Sequence, residues 1–314
     1  MKRTYHLWLL LLILCGTAAK AQAETTSAAP VSELLEAPPP HVLLVGFDGW
    51  GGYSLAKAHD IPNIQSLMER GCYTLKKRAV LPSSSAVNWA SMFNGSCPEL
   101  HGYTEWNSQV PEIPSAEVNE HGVFPTIFSL LRKAYPDAVT GCLTEWPGIK
   151  HVVDTLAIDD YSIATNWEKD HEELCRMAEQ FIRQHKPTLL AVCWDQLDHT
   201  GHTEGHDTPA YYQTLAELDL QVGRLIQALK QAGIYDDTII ILTADHHRPH
   251  LWPAYAPIMD WPPPALRLPM IQSFRVAALR SSLLASHLKN VIKKLVLKIL
   301  VATLQNRCFS TQCL

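Results

Sequence analysis

The sequence lacks several features that would indicate a membrane, disordered or metal-thiolate protein. Beyond the N-terminus, no stretch of the 314 residues approaches the roughly 18 apolar residues of a membrane span. Charged residues make up only 18% against 47% hydrophobic residues, a balance that does not suit a disordered chain. The eight cysteines form no Cys-x-x-Cys pair and are too few for a small disulfide-built fold. What remains is a folded globular protein of the size of an enzyme.

Positive charge and glycine are both unevenly distributed along the chain. The net charge of −5 is mild and gives no nucleic-acid-binding signature. Residues 24–246 hold 14 basic and 30 acidic residues, whereas residues 247–314 hold 9 basic and 1 acidic residue. All fifteen glycines lie at or before Gly233, so the final segment contains none. Residues 247–314 therefore differ in composition from everything that precedes them.

The first 23 residues have the pattern of an export signal. Lys2-Arg3 precedes the apolar run Leu7–Cys15, and Ala21-Gln22-Ala23 offers the small residues of a signal-peptidase site. We expect cleavage after the last of these alanines and export to the periplasm or the extracellular space. An uncleaved membrane anchor, or lipidation of the cysteine that ends the apolar run, are the alternatives. Residues 24–40, rich in Ala, Ser, Thr and Pro, are predicted to be a linker.

Short apolar runs alternate with helical patterns from residue 41 onward. The apolar runs are too short for helices and predict buried strands at His41–Asp48, Thr188–Trp194 and Thr238–Ala244. Helical patterns with proline or glycine near their ends cover Pro62–Arg70, Pro125–Lys133, Glu168–His185 and Pro209–Ala232. This alternation predicts an α/β fold with a mostly parallel central sheet flanked by helices.

Asp48, Asp198 and Asp245 come at or just past the ends of the three predicted strands. In open α/β sheets, ligands bind beyond the carboxyl ends of the strands. Three carboxylates gathered at that edge would repel one another unless cations neutralised them. The alternative is that each aspartate only caps the loop or helix that follows it.

Ser85 and Asn88 are predicted to contribute to an anion site at the start of a helix. Ser85 stands where the helix should begin, and Gly95 where it should end. A hydroxyl at a helix N-terminus lies beside free backbone N–H groups and the positive end of the helix dipole, which suits a phosphate or sulfate. Asn88, on the first turn, can point its amide at the same anion. The alternative is that Ser85 is an ordinary N-cap.

Two Asp/His pairs follow later in the chain. In Asp198-His-Thr-Gly-His202 a carboxylate and an imidazole are four residues apart, and Asp245-His246 ends the last predicted strand. Both donor types suit a divalent, zinc-like ion. Each pair alone is a weak signal. The ordered combination of a strand-end carboxylate, Ser-x-x-Asn, Asp-x-x-Gly-His and Asp-His is much more specific.

Together with Ile61-Pro-Asn, Pro98-Glu-Leu-His-Gly and Trp146-Pro-Gly, these motifs resemble the type I phosphodiesterase/nucleotide pyrophosphatase branch of the alkaline phosphatase superfamily. The likeness runs from about His41 to His246. It implies an alkaline-phosphatase-like fold and metal-dependent hydrolysis of phosphate esters, either phosphodiester or nucleotide pyrophosphate bonds. The implied partner is a small phosphate-ester or nucleotide substrate.

The resemblance also implies two divalent metal ions, usually zinc. The implied ligands are Asp48, Ser85, Asp245 and His246 for one ion and Asp198 and His202 for the other. Ser85 would be the nucleophile and would carry a phosphoserine-type intermediate. Asn88 would donate a hydrogen bond to the phosphoryl oxygen.

The resemblance stops at the Asp-His pair. In relatives, a histidine in a glycine-rich context is the third ligand of the second ion. No such glycine-flanked histidine follows here, and His250 and His287 are the candidates to replace it. We therefore expect a hydrolase core at 41–246 and a divergent tail at 247–314. A shift of the reading frame near His246 would explain the composition of this tail, because an out-of-frame stretch keeps neither the motifs nor the charge pattern of the family. Within the tail, residues 281–304 combine helical apolar spacing with lysines, typical of a membrane-surface helix or of a helix packed on the domain.

Other functions stay open from the sequence alone. The chain could be an alkaline phosphomonoesterase, or a phosphotransferase that passes the phosphoryl group from Ser85 to an alcohol. It could also be a degenerate, inactive family member that lacks the second metal site. Membrane association could arise from an uncleaved N-terminus or from the cationic tail helix.

Overall fold

The computed structural model describes residues 39–164, 171–246 and Gln272–Val276. The chain divides into two units, Met1–Ala37 and Pro38–Leu314, and all of the described residues belong to the second. Among the described residues, no helix combines the length and the apolar character needed to cross a membrane.

Several sequence predictions lie outside the described residues. These are the signal peptide, nearly all of the linker, the tail apart from one strand, and the two histidines His250 and His287.

Seven strands of the described chain form one sheet. They are β1 (His41–Phe47), β2 (Cys72–Lys77), β3 (Thr140–Thr144), β4 (Asp160–Ile163), β5 (Leu189–Trp194), β6 (Thr238–Ala244) and β7 (Gln272–Val276). Their order across the sheet is β2-β7-β6-β1-β5-β3-β4. The five strands from β6 to β4 pair in parallel, whereas β7 pairs antiparallel with both β2 and β6. The predicted mostly parallel sheet is confirmed, with an antiparallel edge in addition.

Helices connect the strands and lie close to the predicted positions. They are α1 (Pro62–Arg70), α2 (Ser85–Asn94), α3 (Pro98–His101), α4 (Ile127–Ala134), α5 (His171–His185), α6 (Gln196–Thr200) and α7 (Pro209–Gln231). Short 3₁₀ turns cover Gly52–Ala56, Pro147–His151, Thr155–Ala157 and Tyr235–Asp237, and a π-helical turn covers Gly201–Gly205. The start of α4 is fixed by a capping box, in which Thr126 and Ser129 satisfy each other's backbone N–H groups.

Strand β1 shows why the helices cover both faces of the sheet. Successive side chains of a strand point to opposite faces. Leu43 and Val45 join a core with apolar residues of α1, α5 and α7, while Val42 and Leu44 join a second core with those of α2 and α4. Each fully buried side chain of this kind stabilises the fold by about 1.5–3 kcal/mol. The helices are therefore held on opposite sides of one buried sheet.

The register of the central strands places three aspartates in one row. Phe47 of β1 is paired with Trp194 of β5 on one side and with Ala244 of β6 on the other. The next residue on each strand is an aspartate: Asp48, Asp195 and Asp245. The carboxyl edge of the sheet thus carries three neighbouring carboxylates, in keeping with the predicted position of the site.

Candidate functional site

Asp48, Asp245 and His246 form a compact cluster at the carboxyl ends of β1 and β6. One potential ligand atom from each residue lies within 4.8 Å of the others, and all three residues are buried. His246 Nε2 lies 3.3 Å from Asp48 Oδ1 and 3.4 Å from Asp245 Oδ2. Ser85 joins them from α2, because its Oγ lies 3.0 Å from the same imidazole nitrogen. The four residues predicted for the first ion are therefore together in space, and we call them the strand-end cluster.

Hydrogen bonds from neighbouring groups hold one oxygen of each carboxylate in this cluster. Trp89 Nε1 donates to Asp48 Oδ2 at 2.9 Å, and the Gly49 N–H donates to Asp245 Oδ1 at 3.2 Å. The other two oxygens, Asp48 Oδ1 and Asp245 Oδ2, are buried and accept no hydrogen bond from the described residues. Buried carboxylate oxygens of this kind are costly unless a cation approaches them. The donor set therefore fits a divalent metal ion.

The electrostatics of the row of aspartates support the same conclusion. Burial, and then the charges of Asp245, Asp198 and Asp195, hold the pKa of Asp48 well above its usual range. Burial also raises the pKa of Asp245, although the charge of His246 lowers it in part. Without a cation, these carboxyl groups resist losing their protons together.

Lys77, the last residue of β2, places a positive charge next to the backbone at the end of β6, where Asp245 of the cluster begins. Its ammonium group donates to the backbone carbonyls of Ala244, the last residue of β6, and of Asp245, which follows it. Burial lowers the pKa of Lys77 to about 8, against the opposing charge of Asp245. No local pattern singles out this lysine, because its partners are backbone atoms more than 160 residues away.

Asp198 and His202 form a second pair beside the strand-end cluster. His202 Nε2 lies 3.1 Å from Asp198 Oδ2, and the two residues sit four apart on α6 and the π-helical turn that follows it. Asp198 is buried, whereas the His202 side chain is 46% exposed. A Cβ at Gly49 would lie 2.5 Å from Asp198 Oδ1, so the left-handed turn at Gly49 and Asp198 touch directly. Both predicted metal sites therefore meet at the turn after β1.

Ser85 belongs to the strand-end cluster, whereas the side chain of Asn88 bonds to the loop before α2. Ser85 is the first residue of α2 after the N-cap Ser84, and Gly95 ends the helix in a left-handed conformation as predicted. The Asn88 amide donates to the carbonyls of Ser84 and Pro82 at 2.9 and 3.3 Å, and its oxygen accepts from the Val80 N–H at 2.8 Å. Asn88 thus holds the loop before α2 through hydrogen bonds to its backbone. A contact between this amide and a phosphoryl oxygen stays a prediction.

Comparison with known proteins supports the family resemblance. The family model described as type I phosphodiesterase / nucleotide pyrophosphatase matches residues 42–248. The chain belongs to this family. The bis(5′-adenosyl)-triphosphatase ENPP4 of Homo sapiens is 26% identical over 220 residues, which are 66% of this chain and 47% of that protein. ENPP4 of Bos taurus is 24% identical over 293 residues, 85% of this chain and 61% of that protein.

Among solved structures, murine ectonucleotide pyrophosphatase/phosphodiesterase 5 resembles this phosphodiesterase-family chain in fold. The TM-score is 0.52 at 22% identity, over 66% of this chain and 57% of that one. One of the two murine structures is an inactive variant in complex with AMP. The chain spans about half the length of the curated relatives it matches.

Two residues of this family member contribute to the site although sequence reasoning did not select them. Trp89 packs against Gly46, where an added Cβ would lie 2.2 Å from its ring, and this close approach lets its N–H reach Asp48. Asp195 continues β5, and burial and the charges of Asp198 and Asp245 raise its pKa to about 7. The strand-end position of Asp195 was the available signal. The contact of Trp89 with Asp48 spans 41 residues and had no local signal.

Proposed function

We propose that this chain hydrolyses phosphodiester or pyrophosphate bonds of small nucleotide-like substrates, with Ser85 as the nucleophile. The observation that carries this proposal is the position of Ser85 Oγ, 3.0 Å from His246 Nε2. The same nitrogen lies 3.3 and 3.4 Å from two buried carboxylate oxygens that accept no hydrogen bond from the described residues. The names of relatives support the substrate class. ENPP4 is named for a bis(5′-adenosyl)-triphosphate, and the murine neighbour was solved with AMP.

We propose that the site binds two divalent metal ions, both zinc. The proposal is supported by the strand-end cluster, where Asp48, Asp245 and His246 bring three potential ligand atoms together. The proposed ligands are Asp48, Ser85, Asp245 and His246 for the first ion and Asp198 and His202 for the second. Carboxylate and imidazole groups are the donors that zinc takes in hydrolases. When bound, such ions lower the pKa of a coordinated hydroxyl and neutralise the charge that develops on the phosphate.

The protein groups at the site would divide the reaction into two steps. Ser85 Oγ would form a bond to phosphorus while the bond to the leaving oxygen breaks, and water would then break the Ser85–phosphorus bond. The N-terminus of α2 would stabilise the negative charge of the phosphoryl group held there. We propose that Asn88 keeps the loop of Ser84 in place, and that its amide donates to a phosphoryl oxygen when substrate enters.

The proposal is tested with two chromogenic substrates, a bis(nitrophenyl) phosphodiester and a nitrophenyl phosphomonoester. We expect hydrolysis of the diester that chelation abolishes and zinc restores, with slower turnover of the monoester. Faster turnover of the monoester would favour an alkaline phosphomonoesterase. Transfer of the phosphoryl group to added alcohols in preference to water would favour a phosphotransferase. A zinc-loaded chain without turnover of either ester would support the degenerate alternative.

We also propose that the chain is exported and that its last segment is not the family's usual continuation. The export proposal is supported by the basic and apolar pattern of residues 1–23. The match to the family model ends at residue 248, whereas ENPP4 of Bos taurus aligns with 85% of the chain. Translating the other two reading frames downstream of His246 decides the second point. A glycine-rich stretch with His-Gly in one frame supports the proposal, and its absence from both frames contradicts it.

A further inference from the structure

One peptide unit after β1 connects the two carboxylates of the strand-end cluster. The N–H group that donates to Asp245 Oδ1 belongs to Gly49, the residue directly after Asp48. Because this N–H lies in the rigid peptide unit that joins Asp48 to Gly49, its position sets how one carboxylate lies relative to the other. The cluster therefore keeps its geometry only if the turn that carries Gly49 is held in place.

The sequence of this turn gives it little stiffness of its own. Three of the four residues from 49 to 52 are glycine, which has the widest choice of backbone conformations. Gly49 has a φ of 68°, and a Cβ there would lie 2.8 Å from the Cα of Asp198, so a residue with a side chain does not fit. Stiffness therefore has to come from groups outside the turn.

The hydroxyl of Tyr211 provides a contact of this kind. It donates to the Gly49 carbonyl at 3.0 Å and accepts from the Gly51 N–H at 3.1 Å, so one oxygen atom bonds to both sides of the turn. Tyr211 and both glycines are buried. Removal of the hydroxyl would deprive a buried carbonyl and a buried N–H of this partner, which is costly and favours a different conformation of the turn.

Tyr211 is itself held at the start of α7. Its backbone N–H donates to the side chain of the N-cap residue Thr208 at 3.3 Å, and its ring stacks on that of Tyr53 with centroids 6.3 Å apart. Burial raises the pKa of Tyr211 well above its ordinary value, so the hydroxyl keeps the proton that it donates to Gly49. A fixed group on one element thus holds a flexible turn on another.

We propose that Tyr211 is a positioning residue for the cation of the strand-end cluster. Its hydroxyl fixes the turn, and the Gly49 N–H of that turn then holds Asp245 next to Asp48. The role requires no contact between Tyr211 and the cation or the substrate. The inference rests on the proposed function only in taking the strand-end cluster as a cation site.

Three tyrosine-to-phenylalanine variants of the full chain separate this role from a loss of stability. Tyr211→Phe removes the hydroxyl and keeps the ring that stacks on Tyr53. Tyr103→Phe is the matched control, because Tyr103 is also buried and its hydroxyl donates to the backbone carbonyl of His151 at 2.7 Å. Tyr212→Phe is a control on the same helix, since its hydroxyl donates to Asp207 and not to the turn. Circular dichroism and thermal unfolding report whether each variant is folded.

Zinc binding is measured by calorimetry, well below the melting temperature of each variant. The binding step that Asp245→Asn removes identifies the cation of the strand-end cluster. Tyr211→Phe should weaken this step by about tenfold, the low end of the loss for an outer partner of a metal ligand, because Tyr211 acts through Gly49. Both controls should bind zinc as tightly as wild type, even where Tyr103→Phe lowers the melting temperature as much as Tyr211→Phe does.

Hydrogen exchange of the metal-free proteins, measured by mass spectrometry, reports on the turn itself. Exchange in residues 49–51 should be faster than in wild type in Tyr211→Phe and unchanged in both controls. Exchange in the turn as slow as in wild type would overturn the inference. Faster exchange together with zinc binding as tight as that of the controls would also overturn it, because the hydroxyl would then be merely structural.

Wild type decides the question if Tyr211→Phe does not fold. The coupling between the turn and the cation is reciprocal, so zinc should slow exchange in residues 49–51 more than in the loop around Tyr103. Equal slowing in the two segments, or none in the turn, would contradict the positioning role.

The proposed function and the role of Tyr211 fail in distinguishable ways. A wild-type chain that binds zinc at the strand-end cluster but hydrolyses no phosphate ester would contradict only the proposed function. An active enzyme in which Tyr211→Phe binds zinc as tightly as the controls would contradict only the positioning role. A wild-type chain without a zinc-binding step that Asp245→Asn removes would contradict both.

Discussion

The strand-end cluster and the second pair of metal donors are built in different ways. Asp48 and Asp245 extend neighbouring parallel strands, so the ladder of backbone hydrogen bonds in the sheet fixes their separation. Asp198 and His202 instead lie four residues apart, on α6 and the π-helical turn that follows it, outside the sheet. The first arrangement buries its donors, while the second leaves the His202 side chain 46% exposed. The comparison indicates that the sheet fixes the donors of the first set, whereas the position of the second pair depends on one short helix and the turn that follows it.

This difference has an energetic consequence. In the strand-end cluster, carboxylates are held together before any cation binds, and the fold carries the cost of their repulsion. A metal that binds only the folded chain would therefore stabilise it against unfolding. At the second pair, Asp198 already has His202 as a partner at 3.1 Å, so less repulsion is relieved there.

The largest effect is expected from Ser85→Ala. This change removes only the hydroxyl beside His246 and leaves the helix start intact, because the N-cap is Ser84. Loss of a nucleophile should lower diester turnover by about 10⁴-fold or more without a large change in melting temperature. Steady-state rates and thermal unfolding, measured on the same preparation, check both parts. Turnover within tenfold of wild type would contradict the covalent mechanism.

Asp245→Asn and His202→Ala compare the two sites directly. The amide introduced by Asp245→Asn would keep an oxygen for the Gly49 N–H but would be a poorer ligand, so the first ion should be lost. Saturating zinc should raise the melting temperature of wild type by about 5–10 °C, from the linkage of binding to unfolding. That rise should disappear in Asp245→Asn and shrink less in His202→Ala. Equal losses in the two variants would contradict the proposed difference between the sites.

A smaller effect is expected from Trp89→Phe. The ring would still pack beside Gly46, but the N–H that holds Asp48 Oδ2 at 2.9 Å would be gone. Loss of such an outer hydrogen bond should weaken the first ion by about 10–100-fold. Phe93→Leu is the matched control, because Phe93 stacks on Trp89 at 5.8 Å and has no group that could donate a hydrogen bond to Asp48. If both variants bind metal equally, packing and not the hydrogen bond explains the result.

Local patterns in the sequence predicted the strand-end cluster better than the rest of the site. An apolar run followed by aspartate identifies both the strand and its carboxyl end, so Asp48 and Asp245 could be assigned with their strands. The antiparallel edge could not be predicted, because the polar sequence of β2 lacks a clear alternation of apolar residues. The orientation of Asn88 depends on carbonyls of a loop without regular structure. The role of Trp89 was missed because a close approach to Gly46, on a distant strand, positions its ring.

Asp195→Asn should change how the stability of the metal-free protein depends on pH, by an amount smaller than any effect above. Burial and the neighbouring carboxylates raise the pKa of Asp195 to about 7 in the folded chain, above its ordinary value of 3.8. A carboxyl group with a raised pKa contributes stability that is fully present below the unfolded pKa and is lost as pH rises through the folded one. Metal-free wild type should therefore lose stability between about pH 4 and pH 7.

The variant removes this contribution, since asparagine has nearly the same shape and does not ionise. The melting temperature of the chelated protein should fall by a few degrees less between about pH 4 and pH 7 in Asp195→Asn than in wild type. Asp195 lies beside the strand-end cluster, so zinc should reduce the difference between the two proteins by neutralising the charge that repels its carboxylate. Identical pH dependence in the chelated proteins would show that Asp195 ionises without cost, and that repulsion along the row of aspartates is confined to Asp48 and Asp245.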